Sequence, residues 1–179
     1  MDKVIVIAEA GVNHNGSIDS AKELINIASE AGADYVKFQT FKADQLATKI
    51  ADKADYQKAN THSNESQFEM LKKLELNIDD HKNLIEYSRS KKIKFLSTAF
   101  DLMSVDLLDD LNIPLYKIPS GEINNVPLLR HIGYKGKPVI LSTGMSTLDD
   151  VKFALDILFK TGMTKENVIV LHCNTEYPS

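Results

Sequence analysis

Residues 4–39 read VIVIAEAGVNHNGSIDSAKELINIASEAGADYVKFQ, and this stretch decides the predicted fold. Its first five residues are apolar and mostly β-branched, which is typical of a strand buried on both faces. Ser17 is a plausible N-cap for a helix whose apolar residues recur at helical spacing as far as Gly32. Residues 35–39 then predict a second strand, so the chain opens with a strand, a helix and a strand.

The same alternation continues along the rest of the chain. Four further strands are predicted over residues 93–98, 115–118, 138–143 and 168–173. Six strands alternating with five helices indicate an α/β fold with a parallel sheet. The sheet is either doubly wound and open or a (β/α)8 TIM barrel. The barrel is favoured because no G-x-G-x-x-G follows the first strand and polar residues cluster at the carboxyl ends of the strands.

The number of strands bears on the extent of the domain. A (β/α)8 barrel has eight strands and usually about 250 residues, whereas this sequence has 179 residues. We therefore expect residues 1–179 to form the N-terminal part of a barrel in a longer protein, with about six of its eight βα units, unless something else completes the sheet. Residues 40–76 exceed an ordinary loop and predict a decorated insertion or a lid, with a short helix marked by Phe68, Leu71 and Leu74.

Composition and charge exclude several classes of protein. Apolar residues make up 43% and charged residues 26% of the chain, which is a globular balance. The net charge of −4 argues against a broad nucleic-acid-binding surface. A single cysteine excludes a disulfide framework and a zinc ribbon. No apolar run approaches the length of a membrane span, and the start of the chain does not resemble a signal peptide. We expect a cytoplasmic protein with no nucleic-acid or membrane partner.

Charged side chains interrupt the apolar strands near their carboxyl ends. Lys37 and Gln39 alternate with apolar residues on the second strand, and Lys117 lies between apolar neighbours on the fourth. Because a buried ammonium group is costly unless it is paired or used, two such lysines favour an anionic ligand. Hydroxyl residues end or follow the third, fourth and fifth strands: Ser97, Thr98, Ser120, Ser142 and Thr143. Together these residues predict a donor-rich cradle for phosphate and carboxylate groups.

Four other polar residues invite a chemical interpretation. Glu122 is either an acid, base or hydroxyl-binding group or a solvated loop glutamate. His14 and His172 lack any local metal-ligand spacing, so no metal site is predicted from them. Cys173 is expected to be a small buried hydrophobe, because no Cys/His/Asn arrangement supports a nucleophilic role.

Five separated motifs carry a resemblance to a known family. They are AEAGVNHNG (8–16), VKFQT (36–40), KIPSGE (117–122), LSTGM (141–145) and LHCNTEYP (171–178). In this order they resemble the sialic acid synthase family, most closely the bacterial N-acetylneuraminate synthases. The motifs are spread over nearly the whole chain, which makes the resemblance far more specific than any one of them.

The resemblance implies a fold, a reaction and a set of contacts. The fold is a (β/α)8 barrel, and the reaction condenses phosphoenolpyruvate with N-acetylmannosamine and water to give N-acetylneuraminate and phosphate. The residues that correspond to phosphoenolpyruvate ligands are Lys37, Thr98, Lys117, Ser120 and Ser142, with either Asn174 or Thr175. Those that correspond to amino-sugar contacts are Glu9, Gln39 and Tyr177. The candidates for catalytic roles are Lys37, Lys117 and Glu122.

The resemblance also implies partners that residues 1–179 do not supply. A divalent metal, manganese or magnesium, is expected on histidines beyond Ser179. A homodimer is expected, in which a C-terminal antifreeze-like domain covers the partner's active site. The chain alone is therefore expected to be inactive. Three alternatives stay open: a related nonulosonate synthase of the legionaminate type, a Schiff-base aldolase that uses Lys37 or Lys117, and a ligand-binding fragment without turnover.

Overall fold

Six strands form one sheet in the computed structural model, which describes residues 4–48 and 66–175. They are β1 (Ile7–Gly11), β2 (Tyr35–Thr40), β3 (Lys94–Ala99), β4 (Tyr116–Ile118), β5 (Val139–Ser142) and β6 (Val168–Leu171). The strands are parallel and are hydrogen-bonded in the order of the chain. A doubly wound sheet would reverse its strand order at a switch point, whereas a (β/α)8 barrel keeps it. The predicted barrel topology is therefore confirmed for these six strands.

Helices connect the strands, and local sequence signals set where they begin. They are α1 (Ile18–Glu30), α2 (Ala43–Leu46), α3 (Gln67–Leu74), α4 (Ile78–Ser90), α5 (Leu102–Asp110), α6 (Val126–Tyr134) and α7 (Leu148–Lys160). The Ser17 hydroxyl accepts the Ser20 N–H as the N-cap of α1, and Asn77 forms a capping box with Asp80 at the start of α4. Within the described part of the chain, no helix is long and apolar enough to cross a membrane.

Strand β1 differs from its sequence prediction. The apolar run over residues 4–8 predicts a strand there, but β1 begins at Ile7, and Val4 is 79% exposed. The reason lies in the partner strand, because Ile7 faces Tyr35, the first residue of β2. Just before that point the Val6 carbonyl accepts the N–H of Asp34, and the Asp34 carboxylate accepts the Val6 N–H at 2.9 Å. Pairing with β2, and not hydrophobicity alone, therefore sets the start of the strand.

The chain divides into two compact units, Met1–Phe95 and Leu96–Ser179, and β3 runs from the first into the second. In the first unit Val36 and Phe38 of β2 are fully buried and pack with Ala21 and Ile25 of α1. Side chains alternate along a strand, so Lys37 and Gln39 belong to the opposite face of β2. This arrangement confirms the prediction that the apolar residues of β2 pack beneath the helices.

The second unit has its own core and a charged cluster at its surface. Ile118 of β4 and Leu141 of β5 are fully buried among apolar residues of α5, α6 and α7. At the surface, the Asp106 carboxylate accepts Lys135 Nζ at 2.6 Å and His131 Nε2 at 2.8 Å. The hydrogen bond from Lys135, and to a lesser extent the one from His131, holds the pKa of Asp106 below its usual value. Because the cluster is partly exposed, each of its ion pairs contributes little to the stability of the fold.

Two buried histidines support the first unit. His14 is fully buried, and its Nδ1 accepts the Gly16 N–H at 3.0 Å, so Nε2 carries the proton. Among the residues that the structure describes, Nε2 has no hydrogen-bond partner. His81 is also fully buried. Its Nδ1 donates to the Asn77 carbonyl at 2.8 Å, and its Nε2 lies 2.8 Å from the Thr40 hydroxyl, from which it accepts when the ring is neutral. The contact with the Gly16 N–H requires a neutral His14 ring, and burial favours the neutral form of His81 because it lowers the pKa of that ring.

This neutrality predicts a loss of stability in acid. Burial lowers the pKa of both His14 and His81 below about 6.5, and His81 lowers the pKa of His14 further. The unfolded chain then binds protons more readily than the folded chain, so stability falls as the pH falls through about 6.5. We expect the thermal midpoint of the complete protein to drop from pH 8 to pH 5.

A double substitution tests whether these histidines cause the effect. Replacing both His14 and His81 by glutamine is expected to flatten the dependence of the thermal midpoint on pH. The control is His172→Gln, because His172 is exposed and no direct role in stability is expected for it. An unchanged pH dependence in the double variant would contradict the assignment.

Candidate active site

The carboxyl ends of β1 and β2 bring together a lysine and a carboxylate. Glu9 faces Lys37 in the parallel register of the two strands, and their side chains form an ion pair. The Lys37 side chain is 10% exposed and the Glu9 side chain is 55% exposed. The strand register thus pairs a buried ammonium group with a carboxylate that is exposed and can contact a ligand.

A third side chain, Gln39, ends beside this pair at Gly11. The register of β1 shifts between Glu9 and Gly11, and Gly11 has a left-handed backbone with φ of 55°. A methyl group at Gly11 would lie 3.5 Å from Glu9 Oε1 and 3.6 Å from Gln39 Nε2. Both side chains therefore end beside the same glycine. The first unit thus gathers Glu9, Lys37 and Gln39, as the sequence predicts for the residues of these two strands.

The second unit contains a buried lysine among hydroxyl groups. Lys117 is 9% exposed, and its Nζ donates to Ser142 Oγ at 2.6 Å and to the Ile118 carbonyl at 3.0 Å. Thr98 faces Lys117 in the register of β3 and β4 and is almost fully buried. Three neighbouring strands, β3, β4 and β5, thus supply an ammonium group and two hydroxyls at one place. This set matches part of the donor-rich cradle predicted from the sequence.

Ser120 extends this set into the loops after β4 and β5. Its hydroxyl oxygen accepts the Gly144 N–H at 2.9 Å. A side chain at Gly144 would overlap the methyl group of Thr175 and approach Ser120 Oγ to 3.0 Å. The loops after β4, β5 and β6 therefore meet at Gly144. Gly144 belongs to the LSTGM motif, but the sequence analysis assigns it no role of its own.

Cys173 occupies a polar position that the sequence analysis did not predict. Its Sγ accepts the Thr143 N–H at 3.3 Å and lies 3.8 Å from Ser120 Oγ. Burial alone would raise the pKa of the Cys173 thiol, but hydrogen bonds from the Thr143 N–H, Ser142 and Ser120 lower that pKa overall. The residue is only partly buried. It differs from the expected small buried hydrophobe because β6 ends at Leu171 and Cys173 turns into the loop region.

A cleft of about 280 Å³ opens beside Ser120 and Gly144. Its other walls include Asn124, Met145, Ser146, Asp150 and Thr175. These residues come from the loops after β4, β5 and β6 and from the first turn of α7. A cleft at the carboxyl ends of parallel strands is where a barrel of this kind places its ligands.

The remaining candidate residues have defined surroundings. Glu122 is half-buried, and its carboxylate accepts Asn125 Nδ2 at 2.6 Å, while Asn125 also caps α6. The Asn174 side-chain oxygen accepts the Thr175 N–H at 2.9 Å, and both residues are exposed. Tyr177 lies outside the described residues. The predicted roles of these four residues stay predictions.

The described residues do not form a metal site. Across residues 4–48 and 66–175, no three histidine, cysteine, aspartate or glutamate side chains come together in a way that could hold a metal ion. His14 is fully buried and His172 is exposed. The divalent metal implied by the resemblance stays a prediction about the complete protein, with ligands outside this part of the chain.

Comparison with known proteins identifies relatives of this chain. The chain is 51% identical to N,N'-diacetyllegionaminic acid synthase of Campylobacter jejuni, over 100% of this chain and 54% of that protein. It is 35% identical to mouse N-acetylneuraminate-9-phosphate synthase, over 97% of this chain and 47% of that protein. The chain therefore spans about half the length of these curated relatives.

Solved structures agree with the sequence comparison. The crystal structure of N-acetylneuraminic acid synthetase from Leptospira borgpetersenii superposes with a TM-score of 0.83 at 29% identity, over 99% of this chain and 56% of that one. The model of the NeuB family matches residues 24–179. A match over most of the chain, with six strands in barrel order, leads to one conclusion. The chain belongs to the NeuB family.

Proposed function

We propose that the complete protein condenses phosphoenolpyruvate with a six-carbon N-acetylated amino sugar and water, and releases phosphate and a nine-carbon sugar acid. The observation that carries this proposal is the Lys117 site, where a buried ammonium group donates to the Ser142 hydroxyl beside Thr98. Phosphoenolpyruvate carries a phosphate and a carboxylate, and charge-assisted hydrogen bonds of this kind recognise both groups. Membership of the NeuB family supports the same assignment.

The proposed reaction balances without any further reactant. C3 of phosphoenolpyruvate forms a bond to the aldehyde carbon of the open-chain sugar, and the aldehyde oxygen takes up a proton. C2 becomes electron-poor, and a water molecule adds there and gives up a proton. The tetrahedral intermediate then expels phosphate, which leaves a keto group at C2. The six sugar carbons and three carbons of phosphoenolpyruvate account for the nine-carbon product.

Residues of this chain serve the anionic substrate in the proposed reaction. Lys117, Ser142 and Thr98 come from adjacent strands, so they can orient the phosphate or the carboxylate before reaction. Lys37, which pairs with Glu9 in the first unit, is assigned to the same substrate by the family resemblance alone. Positive charge fixed where phosphate leaves stabilises the developing negative charge. Glu122 is assigned a supporting role in proton transfer or hydroxyl binding.

The acceptor sugar is assigned to the exposed side of the first unit. Glu9 presents a carboxylate that is 55% exposed, and Gln39 presents an amide beside it at Gly11. Carboxylate and amide groups accept and donate hydrogen bonds to sugar hydroxyls and acetamido groups. We assign Glu9 and Gln39, with Tyr177, to the amino sugar.

Two relatives point to different acceptors. The identity of 51% to a diacetyllegionaminic acid synthase exceeds the 35% to an N-acetylneuraminate-9-phosphate synthase. A product with two N-acetyl groups requires an acceptor with two acetamido groups. We therefore propose a legionaminate-type acceptor first and N-acetylmannosamine second, the latter supported by the superposition on a sialic acid synthetase.

A Schiff-base aldolase is less well supported by the same geometry. Its nucleophile would be an uncharged lysine amine. Lys37 Nζ is engaged in an ion pair with the Glu9 carboxylate. Lys117 Nζ donates to the Ser142 hydroxyl and to the Ile118 carbonyl. Both lysine nitrogens are thus engaged as hydrogen-bond donors to oxygen, which suits anion binding better than covalent attack.

Phosphate release tests the proposed function and the choice of acceptor together. The complete protein is incubated with phosphoenolpyruvate and, separately, with N-acetylmannosamine or a six-carbon sugar with two acetamido groups. We expect release to depend on the acceptor, with kcat/KM at least about tenfold higher for the diacetamido sugar, a difference that one good polar contact supplies. Release at equal rates without any acceptor would contradict the condensation, and a preference for N-acetylmannosamine would reverse the order of acceptors.

A further inference from the structure

The Ser120 hydroxyl is held from two sides. The Gly144 N–H donates to Ser120 Oγ at 2.9 Å, so the oxygen already acts as an acceptor. Cys173 Sγ lies 3.8 Å from the same oxygen, within the range of a hydrogen bond to sulfur. The serine hydroxyl therefore has one partner from the loop after β5 and another from the residues after β6.

The other contacts of the sulfur favour the serine as the donor. The Thr143 N–H donates to Cys173 Sγ at 3.3 Å, and the Leu171 carbonyl, which can only accept, lies 3.6 Å from the thiol. When the thiol proton is directed at that carbonyl, the sulfur can accept from the Ser120 hydroxyl. In that arrangement the Ser120 proton points at Cys173 while its oxygen receives the Gly144 N–H.

We propose that Cys173 is a positioning residue that holds the Ser120 hydroxyl aligned to receive the phosphoenolpyruvate anion. This inference rests on the proposed function, because it takes Ser120 as a ligand of that substrate. The serine proton points at sulfur in the free protein and turns to a substrate oxygen on binding. The Gly144 N–H keeps the oxygen in place during that exchange.

Sulfur suits this role better than oxygen does. A thiol sulfur is a weak hydrogen-bond acceptor, so little is lost when the serine proton leaves it. A charged or strongly accepting neighbour would instead compete with the substrate for the same proton. Sulfur also ties the Thr143 N–H to the loop after β6, so one side chain aligns two of the three loops that meet at Gly144.

Substitutions in the complete protein test the role through steady-state kinetics. Cys173→Ala is expected to raise the KM for phosphoenolpyruvate about two- to tenfold, the range for the loss of one net hydrogen bond, while kcat and the KM for the sugar stay within twofold. Cys173→Ser keeps a donor and an acceptor, so it is expected to recover part of the loss. Equal loss in both variants, or a loss confined to kcat, would overturn the proposal.

Thr161→Val is the matched control. The Thr161 hydroxyl donates to the Leu158 carbonyl at 2.6 Å at the end of α7, in the same unit as Cys173 but outside the loops that meet at Gly144. Its removal costs one hydrogen bond and leaves the Ser120–Cys173 contact in place. We expect the KM for phosphoenolpyruvate to stay within twofold in this variant. A rise equal to that of Cys173→Ala would show a general loosening of the unit and would overturn the specific role of the thiol.

Alkylation of the thiol tests the contact without any enzymatic turnover. The rate of Cys173 modification by iodoacetamide is followed against pH by mass spectrometry of the peptide that contains it. Ser120→Ala removes a donor to sulfur, so the profile is expected to move to higher pH. An unmoved profile would overturn the contact. A protein that does not use phosphoenolpyruvate would fail the kinetic test in its unsubstituted form yet still give this shift, so the two failures are distinguishable.

Discussion

Replacing Lys117 by methionine is expected to weaken phosphoenolpyruvate binding by roughly tenfold to a hundredfold. The Lys117 ammonium is buried beside Ser142, and methionine keeps much of the bulk of the stem but removes the charge. A charge-assisted hydrogen bond contributes about 1.5–3 kcal/mol, which corresponds to that loss of affinity. The thermal midpoint is expected to stay unchanged or to rise, because a buried charge is removed. Calorimetric titration and a melting curve on the complete protein measure both quantities.

Lys135→Met is the matched control for this prediction. Lys135 lies in the same unit but pairs with Asp106 at 2.6 Å and with Asp109 at 3.3 Å, in the charged cluster of α5 and α6. Its loss is expected to lower the thermal midpoint slightly and to leave phosphoenolpyruvate affinity unchanged. If Lys117→Met behaves like Lys135→Met, with lower stability and full affinity, then Lys117 is a structural residue and does not bind the anion.

Gly16→Ala is expected to destabilise the first unit by roughly 2–5 kcal/mol. Gly16 has a left-handed backbone with φ of 79°, and a Cβ there would overlap the carbonyl oxygen of Lys73 in α3. The left-handed conformation costs alanine about 1–2 kcal/mol. Forcing an atom into the packed contact costs a further 1–3 kcal/mol or so. A backbone carbonyl cannot rotate away as a flexible side chain can, so the second cost persists.

Gly32→Ala separates the two costs. Gly32 has φ of 78°, almost the same as Gly16, but a Cβ at Gly32 would meet no atom within 4 Å. This variant is expected to show only the cost of the left-handed backbone. The difference in the free energy of unfolding between the two variants, measured with urea, isolates the contact between Gly16 and Lys73. Equal losses in the two variants would show that this contact adds nothing.

The sequence predicts the elements of this fold well where the signal is local. Ser17 begins a helix as expected, Asn77 caps α4, and Pro127 lies in the first turn of α6. Helix caps and first-turn prolines act within three or four residues, so the start of a helix can be predicted from neighbouring residues in the sequence. The short helix expected around Phe68 and Leu71 is also present as α3.

Strand boundaries follow the sequence less closely. The apolar run at residues 4–8 points to a strand that starts too early, and the run at residues 168–173 points to one that ends two residues too late. A strand exists only where a neighbour supplies hydrogen bonds, and that neighbour is remote in sequence. Ile7 is the first residue of β1 because Tyr35 is the first of β2.

The candidate site, too, was predicted only in part from the sequence. The alternation of polar and apolar residues with a period of two identifies Lys37 and Lys117 as charged residues within otherwise apolar strands. The sequence predicts that both lysines lie among polar residues at the strand ends, but not which side chain each lysine contacts. Glu9 joins Lys37 through the strand register, and Ser142 meets Lys117 from 25 residues further along the chain.

By itself, therefore, the sequence determined the alternation of strands and helices, the buried face of β2 and the polar ends of the strands, because these depend on periodicities of two and 3.6 residues. Only the tertiary structure decided that Cys173 accepts the Thr143 N–H across 30 residues of sequence and that Gly16 lies against Lys73. Such contacts depend on how loops from separate βα units meet. The sequence around each residue does not indicate which remote loop it contacts. The physical reason is that backbone periodicity is a local property, whereas contacts between loops are set by the packing of the whole unit.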